Sequence, residues 1–402
     1  MKMSNRFFPK RARRTQRRAA ILVIGGMFSV SACLLCGLVV DTGNLCVARA
    51  ELQRCSDSAS LAAASVLLDR GALNGSPNPT AVNAAASTAA GSFVRANPCR
   101  SRTLNMRAED LFLTRYKHND DPALCEFISG SNIYNSARVI ARRDNLQNGP
   151  IPLFFGGFAG LGSVNANGQA AAFIETDISG FCVKPGTGMT CKLLPFSLWE
   201  GLWDARVAKR IDQFTHNLDT ATVSNGTDGI YEVNMYPQDL VDCPGNFGTI
   251  DIGSANNSTA DITRQILYGP NEYDFSFFPN NELRIAEVDP EEPLGRKILR
   301  LNGDTGISAA IKDDLYAIRG QPRILPLHWK AVGNGNNAEF RIVRFVGVTI
   351  VDVKLTGALK SKYVKIQPCY TVDGTGIGGG ADGVTSEYIY RPPRLRKLIN
   401  GH

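Results

Sequence analysis

Histidine is scarce in this 402-residue chain: His118, His216, His328 and His402 are the only four. None stands in a His-x-Glu or His-Glu-x-x-His spacing, so a zinc hydrolase has little to be built from. A Gly-x-Ser-x-Gly elbow is missing too, and without it a Ser-His-Asp site would have to be assembled from residues that nothing marks. Gly374-x-Gly376-x-x-Gly379 matches a dinucleotide fingerprint literally. A working fingerprint opens a helix, whereas here Ala381-Asp382-Gly383-Val384 and a Pro-containing tail follow, which predicts a flexible loop. No repeat of fixed period is visible. The chain is therefore read as a non-enzyme, with no catalytic, cofactor-binding or metal residue assigned.

Charge is missing where it matters most. From Ala19 to Val40 the sequence reads AAILVIGGMFSVSACLLCGLVV without a single charged residue. Those 22 residues would span about 33 Å as a helix, enough for a bilayer core. Lys2, Arg6, Lys10, Arg11, Arg13, Arg14, Arg17 and Arg18 precede the run and carry more than the whole net charge of +7. The rest of the chain is then close to neutral, so nucleic-acid binding by the main body loses its support. The cations lie on the N-terminal flank, and the positive-inside rule leaves that end in the cytoplasm and sends the bulk of the chain across. The expected location is a bacterial inner (cytoplasmic) membrane, crossed once, with a periplasmic or extracytoplasmic body.

Other readings of the run fit less well. A cleaved secretory signal has a shorter apolar stretch. Val30-Ser31-Ala32-Cys33 resembles a lipoprotein box, but the mature chain would begin inside the run. Type IV prepilin processing needs Glu five residues after the cleaved Gly, and Gly25, Gly26 and Gly37 have none. Cys33-Leu-Leu-Cys36 has redox spacing but lies in hydrocarbon with no base beside it, so it packs.

Past Asp41-Thr42-Gly43 a helical pattern continues. Leu45, Ala48, Leu52, Cys55, Ala59, Ala62 and Val66 recur at alternating spacings of three and four, drawing a narrow seam of mostly small residues along one face. Small residues let a partner backbone approach closely. The partner is either the chain's own soluble part or another subunit.

The order of basic N-terminus with Arg17 and Arg18, single span, Asp41-x-Gly43, then Leu52-Gln53-x-x-x-Asp57-x-Ala59-x-Leu61-Ala62 resembles the N-terminal segment of TadG-like proteins (TadE/TadG family) of the Flp/Tad pilus assembly system. Ser136–Arg143 as a strand, Pro150–Phe155 with Gly160-Leu161-Gly162 as a short apolar helix and its stop, and Val164–Ile174 as a return strand are similar to that family's strand, helix and strand. Pro244–Gly248 and Asn302–Ile307 also look like TadG-type outer sequence. The resemblance implies a non-enzymatic accessory protein of pilus assembly or secretion, contacting the lipid bilayer, other assembly subunits and a second copy of itself. Some longer relatives carry a metal-dependent adhesion site beginning Asp-x-Ser-x-Ser. Asp274-Phe275-Ser276-Phe277-Phe278 lacks the second Ser, so no such site is carried over and no cofactor is expected.

Eight of the ten cysteines lie beyond the span, an even number suited to an oxidising compartment. Cys182 and Cys191 enclose a Pro-Gly-Thr-Gly turn and are the favoured disulfide pair; Cys99 with Cys125 and Cys243 with Cys369 are further candidates. Cys46 and Cys55 project to nearly opposite sides of one helix and cannot bridge each other.

The expected organisation is a basic cytoplasmic segment (1–18), a transmembrane helix (19–40), a long helix extension with a helical return from Pro79 to Asn97 (41–97), a small strand-helix-strand module (98–180) and an α+β extracytoplasmic domain (181–402). In the last, Ser258–Leu267 reads as a capped helix and Asp304–Ile318 as another. Phe340–Val346, Val348–Leu355 and Tyr363–Pro368 read as strands of a terminal antiparallel sheet. The fold class is α+β. The tail cations Arg391, Arg394, Arg396 and Lys397 suit a solvated terminus or an anionic polymer or lipid. Two function classes stand side by side: the anchored assembly protein, and an anchored extracytoplasmic hydrolase or sugar-binding protein with its site built from scattered Asp and Glu. A secreted adhesin or pseudopilin released from the membrane is a third.

Overall fold

The computed structural model describes residues 12–117, 126–128, 134–236, 247–253, 258–304, 306–333, 335–358, 361–379 and 386–396. A single helix, Ala12–Ser65, forms a stem of 54 residues, about 81 Å long at 1.5 Å per residue. No proline interrupts it, so the backbone hydrogen-bond ladder passes from the apolar run into the polar region unbroken. Among the described residues one helix, Ile21–Ser65, is long and apolar enough to cross a membrane. From Ile21 to Val40 its large apolar side chains stand exposed on every face. Each is worth about 1.5–3 kcal/mol when removed from water, and a bilayer is the environment that removes all of them at once.

The chain forms two compact units, one of which includes the span. One comprises residues up to Ser60, Ala90–Leu111 and Arg138–Ala170. In it the last turn of the return helix Pro79–Ala96 lies against the stem: the Cys55 thiol faces the Val94 carbonyl, and Asn97 Nδ2 donates to Ser58 Oγ at 3.2 Å. The strands Ser136–Arg143 and Ala166–Phe173 contribute residues 138–143 and 166–170. Gly168 sits directly on the stem backbone; a Cβ there would stand 2.5 Å from the Leu52 carbonyl and 2.6 Å from the Gln53 nitrogen. Arg143 is buried and holds its unit's loops together, donating to the carbonyls of Cys99, Gly149 and Pro150.

The stretch 150–162, expected as a short helix, is a tight hairpin. Ile151–Pro152 pairs antiparallel with Ser163–Val164, and a 3-10 turn, Gly156–Ala159, caps it. Pro150 and Pro152 lack the amide hydrogens a helix needs, and Gly160, at φ 76°, takes the left-handed position that closes the turn.

The other unit comprises Leu61–Ala89, Phe112–Ala137 and Ala171–His402. Its main sheet runs in the order Val233–Tyr236, Tyr363–Pro368, Ala338–Lys354, Pro322–Val332, Phe196–Trp199, Phe247–Ile250, Lys297–Asp304, Glu287–Val288. Lys297–Asp304 also pairs with Ala338–Lys354, so five of these strands close into a ring. All of the ring's pairings are antiparallel except that of Phe196–Trp199 with Pro322–Val332. The interior is narrow. Gly248 and Gly303 each approach the Phe340 ring so closely that a Cβ would collide with it or with neighbouring backbone.

Helix Thr259–Tyr268 is capped as expected, Ser258 Oγ accepting the Asp261 N–H at 3.1 Å. It buries Ile262 and Ile266 in a core shared with Ile311, Leu315, Ile318 and the sheet residues Leu325, Val346 and Ile366.

Several expectations are corrected. Ala338–Lys354 is one 17-residue strand instead of two separated at Gly347. That glycine is there for space, since a Cβ would collide with the carbonyls of Cys369 and Tyr388. Asp304 ends a strand, and the helix after it is confined to Lys312–Ala317 with a 3-10 turn before it. Gly376–Gly378 is a strand pairing with Ile178–Cys182 and no loop. Cys182 and Cys191 are both free thiols. The two ends of their turn are held by different neighbours, the Cys182 N–H by the Thr375 carbonyl and the Cys191 N–H by that of Pro270. Cys191 is sunk in the core beside Phe275, and burial pushes its thiol well up. Cys125 and Cys243, with Pro244–Asn246 and Lys397, lie outside the described residues. In the tail, Arg391 pairs with Glu175 at 3.0 Å, and Arg394–Arg396 pairs as a strand with Ala171–Phe173.

Two outcomes are expected. Gly168→Val should cost about 1–3 kcal/mol by overpacking, read as a lowered melting temperature of the detergent-solubilised protein. Gly157→Ala, where a Cβ meets nothing within 4 Å, should be neutral. Glu291 accepts from Lys330 and Arg341, and these cations hold its carboxyl down at about 2, from an ordinary 4.5. Such a group stabilises the fold above its ordinary range and loses that contribution as pH falls towards its folded value. Lys330→Met should therefore lower the denaturation midpoint at neutral pH, and the difference from wild type should vanish near pH 2; a difference that persists there refutes the linkage.

Candidate functional site

The stem carries its chemistry where it leaves the apolar run. Asp41 is the first acidic residue of the chain and is buried. Its two oxygens accept the backbone N–H groups of Phe154 at 2.7 Å and Phe155 at 2.9 Å. Hydrogen bonds to an ionised acceptor contribute about 1.5–3 kcal/mol each, and at the edge of hydrocarbon there is little water to replace them. One turn further, on the same helical face, Asn44 Nδ2 donates to the Pro152 carbonyl at 3.3 Å. Higher up, Glu51 accepts the Arg100 N–H at 2.7 Å, Gln53 Nε2 donates to the Gln169 carbonyl at 3.0 Å and to Asp57 Oδ1 at 2.8 Å, and Ser56 Oγ accepts the Ala141 N–H at 3.3 Å. From Asp41 to Ser56 the helix rises about 22 Å, and along that length polar side chains hold it to the loops and strands of its own unit.

The seam residues Ala48, Leu52, Cys55 and Ala59 are fully buried, while Leu45, Ala62 and Val66 are half-buried. Ala48, Leu52 and Cys55 are covered by this chain's own Cys99, Gly168 and Val94. Of the motif residues, Leu52 and Ala59 are core, Leu61 is half-buried, and Gln53 and Asp57 are joined by their hydrogen bond. Gly43 has open space around it. Arg17 and Arg18 lie on the helix.

Residues 18–66 match the family described as "Putative Flp pilus-assembly TadE/G-like". The stem is similar to a TadE/G-like segment. No curated protein and no solved structure matches the chain. The TadE/G-like match begins at Arg18, the last arginine of the basic tag, and ends one residue past the helix, so it spans the membrane run, the Asp41 clamp and the Gln53–Asp57 pair. Asn44, Ser56 and Gly168 were not marked by the sequence pattern. The signals for two of them were local: Asn44 stands three residues after Asp41, and Gly168 interrupts a strand, which often marks close backbone approach.

The unit that carries the main sheet, here called the head, offers an arrangement that resembles catalytic machinery. Ser197 Oγ lies 2.7 Å from His328 Nδ1, inside the five-strand ring. Both residues are completely buried, with the imidazole edge-on to Phe340, so substrate has no approach. The nitrogen facing the hydroxyl is Nδ1, where a Ser-His-Asp triad presents Nε2. It is a polar pair that fills a narrow barrel.

Several carboxylates of the head are engaged with arginines. Asp289 pairs with Arg341 at 3.0 Å, and Glu200 and Glu292 both pair with Arg296 at 2.7 Å. Asp274 forms a two-pronged pair with Arg264 at 2.9 and 2.6 Å. A general acid near neutral pH needs a raised pKa. Burial raises Glu232 and Asp251, yet Glu232 is bound by the N–H groups of Gln213 and Phe214, and Asp251 by Asn302 Nδ2. Among the described residues no group of His, Cys, Asp and Glu is placed to hold a metal ion.

Removing the clamp should loosen one loop selectively. Asp41→Ala should cost about 1–3 kcal/mol and speed hydrogen exchange at the amides of Phe154 and Phe155, with little change at Ala141. Asp41→Asn, which keeps one acceptor, should fall between the two. Unchanged exchange at 154 and 155 would show that the carboxylate does not hold the loop.

Proposed function

We propose that this chain is a membrane-anchored, non-enzymatic accessory protein of Flp/Tad-type pilus assembly or secretion. Its N-terminus is cytoplasmic, and everything after the span is periplasmic, beyond a bacterial inner membrane. The observation that carries the reading is the coincidence of the TadE/G-like match with the stem's apolar run, clamp and polar ladder. The eight cations before Ala19 support the orientation.

The way subunits are met differs from the seam reading. Ala48, Leu52 and Cys55 are covered by the chain itself, so partner subunits or a second copy engage the opposite face. There Thr42, Gly43, Cys46, Val47, Arg49, Ala50 and Arg54 are exposed. The free space at Gly43 supports close approach of another helix. The hydrolase alternative has less behind it, since the head's Ser-His pair is sealed and Asp289, Glu200, Glu292 and Asp274 are each paired with an arginine.

Deletion of the gene should abolish surface fibres in electron micrographs and block export of the pilin, with restoration by the full chain and by the Ser197→Ala variant. Normal fibres and export in the deletion strain would remove the proposal. An alkaline phosphatase fused after residue 70 should be active, and an inactive fusion reverses the assigned topology.

A further inference from the structure

The hairpin held by Asp41 has a composition that a water-facing loop does not need. No charged residue occurs between Asp144 and Glu175. At the hairpin tip, Phe158 is 81% exposed and Phe154 68%, with Leu161 and Phe155 also open. The level of this tip along the stem is fixed by contacts within one unit. Phe155 lies so close over Gly37 that a Cβ on that glycine would stand 2.6 Å from the ring. Gly37 lies four residues, about 6 Å, inside the membrane side of Asp41. The phenylalanine therefore reaches down to the level of the apolar run, whose Leu38, Val39 and Val40 are exposed.

The backbone of the tip is prepared for a medium without water. The N–H of Leu153 donates to Gly162, that of Phe158 to Phe155, that of Gly160 to Gly157 and that of Leu161 to Gly156. Those of Phe154 and Phe155 are taken by Asp41. Irregular backbone is costly in hydrocarbon because its polar groups go unpaired, and here six donors of the tip are bonded within the protein.

We propose that the hairpin tip Leu153–Leu161 is a second membrane contact, inserting Phe154, Phe155, Phe158 and Leu161 into the outer leaflet beside the span. The inference rests on residues 19–40 spanning the bilayer. Lipid is the occupant because the tip continues the lipid-facing surface of the stem without a step, carries no charge, and presents the Phe and Leu side chains typical of interfacial anchors. A single helix is free to tilt, slide and rotate in a bilayer. A second contact clamped to it at Asp41 and Gly37 fixes its depth and facing, so that the exposed face of the stem above the membrane points in one direction.

The test uses the full chain in phosphatidylcholine–phosphatidylglycerol vesicles with brominated acyl chains. An environment-sensitive fluorescent amino acid is placed singly at Phe158, at Phe28 in the span and at Tyr268 on an exposed helix of the head. Probes at Phe28 and Phe158 should lose most of their emission to the brominated chains, and the probe at Tyr268 should keep its own. Quenching at Phe28 without quenching at Phe158 overturns the inference and leaves the span intact. No quenching at either position overturns the span, and the inference with it. A blue-shifted but unquenched Phe158 at every protein-to-lipid ratio assigns the tip to a protein partner and rejects the lipid contact.

Discussion

One carboxylate at the boundary between hydrocarbon and water organises the membrane-proximal unit. Asp41 holds the two amides at the start of the hairpin tip, and through them sets where Phe155 lies over Gly37 and where the strand Ile151–Pro152 meets Asn44. The acceptor must be strong and bidentate, because two adjacent amides in a dry setting have no second choice. Once that contact is made, the unbroken helix carries the register upward. Gln53, Ser56 and the space opposite Gly168 can then meet their partners only if the lower turns are fixed.

The head is held together by a different kind of force. A ring of five strands shuts around Phe340, His328 and Ser197, and the glycines at 248 and 303 give the aromatic ring its room. On one side of this ring, arginines 296, 300 and 341 gather carboxylates into a network. Multiply shared charges of this sort lose less side-chain entropy per contact than isolated surface pairs do. A serine beside a histidine is thus used here as core. The same pair at the mouth of a cleft would read as chemistry, and burial is what separates the two meanings.

The assembly reading and the interfacial hairpin support each other physically. A protein that must present one face of a stem to other subunits needs that face at a fixed height and rotation. An isolated apolar helix supplies neither, since lipid surrounds it evenly. The clamp, the close fit of Phe155 on Gly37 and the uncharged tip make the membrane end of the molecule asymmetric.

The sequence alone determined the features that depend on one solvent or one local pattern. The uncharged run, its basic flank and the continuation of the helix past Asp41 were legible because lipid and the helical repeat each read a contiguous string. The cap at Ser258 and the strand Ser136–Arg143 were legible for the same reason. What the tertiary structure decided were matters of proximity between distant residues. It decided that Gly347 and Gly168 make room for passing backbone, that Pro150–Gly162 folds as a hairpin, that Cys182 and Cys191 remain apart, and that the seam at Ala48, Leu52 and Cys55 is covered by the chain's own return helix, a loop and a strand. Periodicity shows that a face will be buried. Only the packed chain shows by what, because the choice depends on which distant segment brings a matching shape and matching donors to it.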